Sequence, residues 1–530
     1  MPQATRLTRD EQLFASKMSS ELQKAPDFAR DARFAFMLYV SLARETVQIA
    51  YSFGTNVAKR APRLGIETRS RGAALWELIL YKASRFAAIG VFMLAPLPFG
   101  SVETVWICIW TMVLALSLAT ADLRSATLDD FYLLLPLFAV LVVVAAVITV
   151  QLWPNSPLHE VDAAWAVARG VVGADLPGRV SVTANGPWLA FGYPLLFVLA
   201  FTRAVYIATD AEDARQLLRI LAWTGLAYAL YGILAGIGDP TSLLFRRKEA
   251  YIGFVTGTFV NRNTAATFFA SCALLFLLPL LRFIYRQDRP SRPPSRQMTA
   301  LIAHYLSSPV ALGGGFVICL VATAMTGSRA GLLLLILTVF LATALFFAPL
   351  RIGKLRRWGW LAGIAVAALL LVQLVGGAVA GRILTYGLVD EQRFTMYRTV
   401  LIMIQEHPLL GIGYGNFESA FPAYRPESLG SLGVWDRAHS TPLELAVELG
   451  LPAACLIIAT CLWYLYHLLN GSLHRRRDRY IPIIGASVAT LGFLHTSIDF
   501  SLQIPGFGVF FAAITGCGLA QSRSSSEQKK

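Results

Sequence analysis

FYLLLPLFAVLVVVAAVITVQL, residues 131–152, runs for 22 residues without one Asp, Glu, Lys or Arg. A helix of about 20 apolar residues crosses the hydrocarbon of a bilayer, so this stretch predicts a membrane span. Comparable runs recur at roughly 85–99, 102–120, 187–208, 216–237, 264–285, 308–326, 331–349, 359–379, 442–468, 481–497 and 503–520. The chain therefore reads as all-α, a polytopic transmembrane helical bundle of about 12 helices. Its 56% hydrophobic and 15% charged residues, with a mean hydropathy of +0.57, exceed what a soluble core of this size requires. Cys108, Cys272, Cys319, Cys455, Cys461 and Cys517 all fall in apolar runs and read as small hydrophobes, not as a disulfide or metal framework. No internal repeat of useful fidelity suggests an inverted-repeat transporter.

Charge sets the orientation. Residues 1–84 are mixed and basic, with one apolar interval (FAFMLYVSLA) too short to span, and read as a cytoplasmic extension carrying an amphipathic surface helix. They lack the layout of a cleaved signal peptide. With that end inside, alternation places RFIYRQDRPSRPPSR, RIGKLRR, HRRRDR and the tail at 521–530 inside as well, as the positive-inside rule demands. The first span is short and interrupted by Pro96 and Pro98, but without it every basic loop inverts. The net charge of +14 is thus an orientation signal and not a nucleic-acid footprint. The resulting plan is an extension at 1–84, nine spans within 85–379, a large outer loop with short helices at 380–441, three spans within 442–520, and a cytoplasmic tail.

The chemistry-bearing residues gather on the outer side. In GTFVNRNTAATFF, Asn261, Arg262 and Asn263 precede a span; a capped helix start beside a cation suits an anion, and N-capping with a snorkelling arginine is the equal alternative. Arg246, Arg247 and Lys248 break the inside-positive pattern. Arg329 occupies a tight turn between two spans, in GSRAG, where an ionisable side chain near hydrocarbon is functional by default. Gly411, Gly413 and Gly415 follow an amphipathic segment in the large loop; Arg393, Arg398 and Arg425 there are each best read, singly, as facing solvent. RAHSTPLELAVELG then gives Arg437 and His439 just before Pro442, with Glu444 and Glu448 one turn apart. A histidine here takes or gives a proton, or holds a phosphate oxygen. His495 and Asp499 end another span, where the carboxylate is paired, hydrated or functional. There is no HExxH, Walker motif, GxSxG or acidic metal loop, so neither metal nor cofactor is expected.

In their order, GTFVNRNTAA, GSRAG, HPLLGIGYGNF with AYRP, RAHSTPLELAVELG and HTSIDFSLQIP resemble the bacterial O-antigen ligase and polymerase family of membrane glycosyltransferases, over roughly residues 250–506. The resemblance implies a multi-pass protein of the bacterial inner membrane with both termini cytoplasmic and a large periplasmic loop. It implies a periplasmic, metal-independent, inverting transfer of a glycan from undecaprenyl pyrophosphate to lipid A-core in lipopolysaccharide biosynthesis, or to another lipid-linked repeat if the chain is a polymerase. Membrane lipids are then partners and nucleic acid is not. The family's loop arginine and histidine fall on Arg329 and His439, the catalytic pair. The second pyrophosphate ligand is Arg262 or the Arg246 and Arg247 pair, with Arg437 nearby; Asn261, Asn263, Glu448, His495 and Asp499 support. Relatives often carry Asn directly after the histidine, where this chain has Ser440. A transporter gated by the outer arginines is the competing class, but it needs ionisable groups near the midplane rather than at one face.

Overall fold

The computed structural model describes residues 71–121, 127–155, 161–286, 308–348, 359, 391–430 and 435–523. The expected span at 359–379, the surface helix before residue 71 and the end of the tail lie outside these. The chain divides into two compact units, Met1–Leu80 and Tyr81–Lys530. Only residues 71–80 of the first are described, and the helical bundle with its sites belongs to the second.

Helices α1 (Arg71–Leu94), α2 (Thr104–Ala119), α3 (Leu128–Gln151), α4 (Ala164–Val172), α5 (Gly186–Ala190), α6 (Gly192–Ile207), α7 (Ala211–Gly238), α8 (Arg262–Arg286), α9 (Pro309–Met325) and α10 (Arg329–Phe347) are followed by α11 (Glu391–Glu406), α12 (Phe417–Tyr424), α13 (Thr441–Leu449), α14 (Leu451–His474), α15 (Tyr480–Thr496) and α16 (Pro505–Ala520). A two-residue hairpin, β1 (Ser242–Leu243) with β2 (Arg246–Arg247), sits between α7 and α8. Local signals set the ends. Thr127 and Asp130 close a reciprocal capping box at the start of α3, Asp210 accepts from the first turn of α7, and Ser328 Oγ accepts from Gly331 N at 3.2 Å to start α10.

Six helical stretches, Asp129–Gln151, Gly186–Ile207, Ala211–Gly238, Arg262–Tyr285, Arg329–Phe347 and Leu451–His474, are long and apolar enough to cross a membrane, and four shorter apolar helices accompany them among the described residues. This is a multi-pass membrane protein, with a span count below the expected twelve in the described part. Two expected spans have a finer form than hydropathy suggests. The run at 442–468 is two helices broken at Gly450 (φ +81), where an added Cβ would collide with the Leu409 carbonyl. The run at 85–99 is helical only to Leu94 and then turns through Pro96 and Pro98, with Ser101 Oγ bound to Ala95 O at 2.6 Å.

The sequence dictates which helices lie inside. Every residue of α16 is buried, as suits a helix apolar all round and rich in Gly and Ala. It packs on α8 through Phe510 and Phe268, ring centroids 4.7 Å apart. A Cβ added at Gly485 of α15 would lie 2.9 Å from Gly518 Cα of α16, so these backbones approach as closely as small residues allow. Conversely, α3 and α14 keep most of their apolar surface outward, with only 28% of their apolar windows buried, as lipid-facing helices do. Val255 N bound to Met325 O at 3.1 Å and Val182 N bound to Ile412 O at 3.2 Å gather the long connections at one bundle end. That end carries the candidate site.

Candidate active site

Side chains from three segments converge on Asp499, in the turn after α15. Asn261 Oδ1 accepts from Asn263 N at 2.7 Å, capping α8, and Asn263 Nδ2 then donates to Asp499 Oδ2 at 2.7 Å. From α11, Arg393 Nη1 donates to the Ile498 carbonyl at 2.8 Å and Nη2 reaches Asp499 Oδ2 at 3.4 Å. His439 Nδ1 faces the same oxygen at 4.0 Å. Asp499 is only 2% exposed. Burial alone raises a carboxyl, but the facing His439, with His495 and Arg393, outweighs it and holds Asp499 down at about 2. It is ionised at any physiological pH.

His439 is held in a left-handed backbone conformation, φ +48, a costly state for a non-glycine residue that concentrates at functional positions. The Tyr397 hydroxyl donates to its carbonyl at 2.9 Å. Its ring lies edge-on between Trp435, centroids 5.7 Å apart, and Phe500, 5.1 Å apart. Nδ1 is buried with no hydrogen-bond partner among the described residues. Behind the aspartate, His495 is fully buried with Nδ1 on Ser501 Oγ at 2.8 Å.

The Arg262 guanidinium stacks over Phe254 at 4.7 Å and Tyr251 at 5.3 Å from the ring centroids. A Cβ at Gly327 (φ +65) would lie 3.6 Å from Arg262 Nη1, so Arg262 lies against the turn that delivers the half-buried Arg329. The Tyr251 hydroxyl, raised by burial, feels the charges of Asp499, Arg262, Arg393 and Asp436.

Not every residue singled out from the sequence joins this cluster. Arg246 pairs with Glu103 at 3.3 Å and stacks on Phe99 at 4.4 Å, and Arg247 is exposed on the same hairpin. Arg437 Nη1 binds Glu444 Oε1 at 3.1 Å, while Glu444 Oε2 accepts from Ala438 N at 2.7 Å. Glu448 belongs to the Gly-rich turn: its Oε1 accepts from Phe417 N at 3.0 Å, and its backbone carbonyl accepts from Gln151 Nε2 at 2.7 Å. Burial first, and the Glu444 charge second, raise the Glu448 carboxyl. Gly411 (φ +67) serves the same junction, since a Cβ there would stand 2.5 Å from the Val447 carbonyl oxygen. Arg437, Glu444 and Glu448 line a cavity of about 480 Å³ together with Phe197, Tyr464 and Phe511. Arg393 departs from its solvent reading, because Asp499 and Ile498 hold it half-buried; neither partner is near it in sequence. Among the described residues, no three His, Cys, Asp or Glu side chains cluster as metal ligands would.

The cluster of arginines, His439 and Asp499 lies at the end of an apolar bundle, and part of it falls in a stretch with a counterpart among known families. Residues 314–458 match the family model described as O-Antigen ligase. Over that stretch the chain is similar to the O-antigen ligase family. The matched stretch holds Arg329, Arg393, Arg437, His439, Glu444 and Glu448, whereas Arg262, Asn263 and Asp499 come from either side of it. A comparison with curated proteins finds no match.

Proposed function

We propose that this O-antigen ligase-type enzyme moves a glycan from undecaprenyl pyrophosphate to a sugar hydroxyl of lipid A-core on the periplasmic face of the bacterial inner membrane. The observation that carries the reading is the meeting of Asn263, Arg393 and His439 on Asp499 where the spans end, with Arg262 next to Asn263 in the chain. Arg262 and Arg329 bind the pyrophosphate of the donor, and their charge stabilises it as it leaves. Arg393 both orients Asp499 and adds to this positive field. Ionised Asp499 draws the Nδ1–H of His439 toward it, which leaves Nε2 to accept the acceptor's proton. The 4.0 Å gap to Asp499 closes on substrate binding, as catalytic hydrogen bonds commonly do.

In the transfer, the acceptor oxygen attacks the anomeric carbon from the face opposite the pyrophosphate. The new glycosidic C–O bond forms as the bond to pyrophosphate breaks, the proton passes to His439, and the anomeric centre inverts. No metal is required, because the guanidiniums supply the countercharge. The apolar cavity below Arg437 and Glu444 supports lateral access by a polyprenyl chain.

The test is a gel of surface glycans from a strain lacking the gene, complemented with wild type or with His439→Ala. Bare core and long chains retained on undecaprenyl pyrophosphate in the His439→Ala strain support ligation. Core carrying a single repeat assigns the polymerase reaction instead, and a normal profile refutes both.

A further inference from the structure

The opposite end of the bundle holds a second cavity, of about 260 Å³, that the proposed reaction does not use. It lies among the start of α7, the end of α8, the start of α9 and the start of α15. Its lining joins two chemistries: Trp223, Phe276 and Leu312 with Arg215, Arg219 and Arg282.

The cations are fixed in place. Asp478, 2% exposed, accepts from Arg215 Nη1 through Oδ2 and from Arg282 Nη1 through Oδ1, each at 2.9 Å. Glu212 also binds Arg215, and Arg477 Nε stands 3.8 Å from Asp478. Arg282 lies over the Tyr480 ring, 4.8 Å from its centroid. Arg219, one turn beyond Arg215, is exposed and has no carboxylate partner among the described residues. Two carboxylates thus face four guanidiniums, and the surplus positive charge borders an apolar hollow where the helices leave the bilayer. A topogenic signal needs only the number of positive charges in a loop. It does not need arginines from two different helices clamped by one buried aspartate against a cavity.

We propose that this cavity binds an anionic phospholipid, its phosphate between Arg219 and Arg282 and the upper part of an acyl chain against Trp223 and Leu312. A guanidinium pair recognises a phosphate by charge-assisted hydrogen bonds, and the apolar wall selects a lipid over a free anion. Under the topology proposed above, the lipid comes from the inner leaflet. The site is independent of the transfer chemistry, so its failure leaves that reading untouched.

The experiment uses the full chain, purified in neutral detergent and stripped of lipid. Binding is read by native mass spectrometry during titration with phosphatidylglycerol or with phosphatidylcholine of the same acyl chains. Phosphatidylglycerol is expected to bind about fivefold or more tightly, the contribution of roughly one arginine near a lipid phosphate. Arg219→Gln, at an exposed and unpaired position, keeps the fold and loses about that fivefold preference. Arg282→Gln loses at least as much if it folds. Equal affinity for the two lipids, or Arg219→Gln binding like wild type, overturns the proposal. So does thermal stabilisation by inorganic phosphate alone that equals the effect of phosphatidylglycerol, because the apolar half of the site is then idle.

Discussion

Replacing Asp499 with Asn removes one charge from a group held by Asn263 at 2.7 Å, by its own Phe500 N at 2.8 Å and by Arg393 at 3.4 Å, and changes little in shape. Holding the carboxyl at about 2 instead of its ordinary 3.8 corresponds to about 2–3 kcal/mol in favour of the charged form. In the proposed mechanism the same field steadies His439 as it takes up a proton, so its loss is expected to slow transfer by about 30- to 150-fold. The assay is the initial rate of glycan transfer by purified enzyme in lipid nanodiscs, with thermal melting as the control for folding. The pH dependence has a definite sign. A carboxyl depressed in the folded state contributes stability that is full above its unfolded value near 4 and is lost as pH falls through about 2. Wild type therefore loses melting temperature between roughly pH 4 and 2, and Asp499→Asn lacks that component. A folded Asp499→Asn enzyme with a rate within threefold of wild type refutes the reasoning.

Other outcomes rest on the same geometry. Arg262→Gln weakens donor use by about 10- to 100-fold while Arg246→Gln, on the hairpin strand, stays within about threefold; donor titration in the transfer assay separates them. Tyr397→Phe removes the hydrogen bond that fixes the His439 carbonyl, at a stability cost of about 1 kcal/mol, with a several-fold fall in rate. Glu448, raised by burial and by Glu444, contributes stability below its unfolded value that is lost as pH rises through its folded value. Glu448→Gln should therefore show a flatter melting profile toward alkaline pH than wild type. Gly411→Ala, at φ +67 and 2.5 Å from the Val447 oxygen, destabilises by about 1–3 kcal/mol, measurable as a lower melting temperature.

The bundle was legible because each span carries its own evidence: residues 131–152 need no tertiary information to be read as membrane-spanning. The break at Gly450 was not legible, since hydropathy runs unbroken across it and its cause is the Leu409 carbonyl packed on the glycine. Arg262, Asn263, His439 and Asp499 stood out because polar groups at the edge of apolar runs are few. Arg393 did not, because three arginines of that segment look alike until α11 lays one of them on Asp499, 106 residues away. The pairing of Arg246 was not legible for the reciprocal reason: its partner Glu103 lies 143 residues upstream, beyond the reach of any spacing argument. In each case the missing information was a long-range pairing of ordinary residue types. The left-handed His439 backbone adds a signal that residue identity cannot carry, because φ depends on how the fold holds the chain on either side.

The most direct measurement is transfer by the purified enzyme in nanodiscs from a synthetic undecaprenyl-pyrophosphate glycan to purified lipid A-core, wild type against His439→Ala. Wild type is expected to give product of inverted anomeric configuration, and a folded His439→Ala none above background. Undiminished transfer by His439→Ala, or product with retained configuration, would contradict the proposed mechanism.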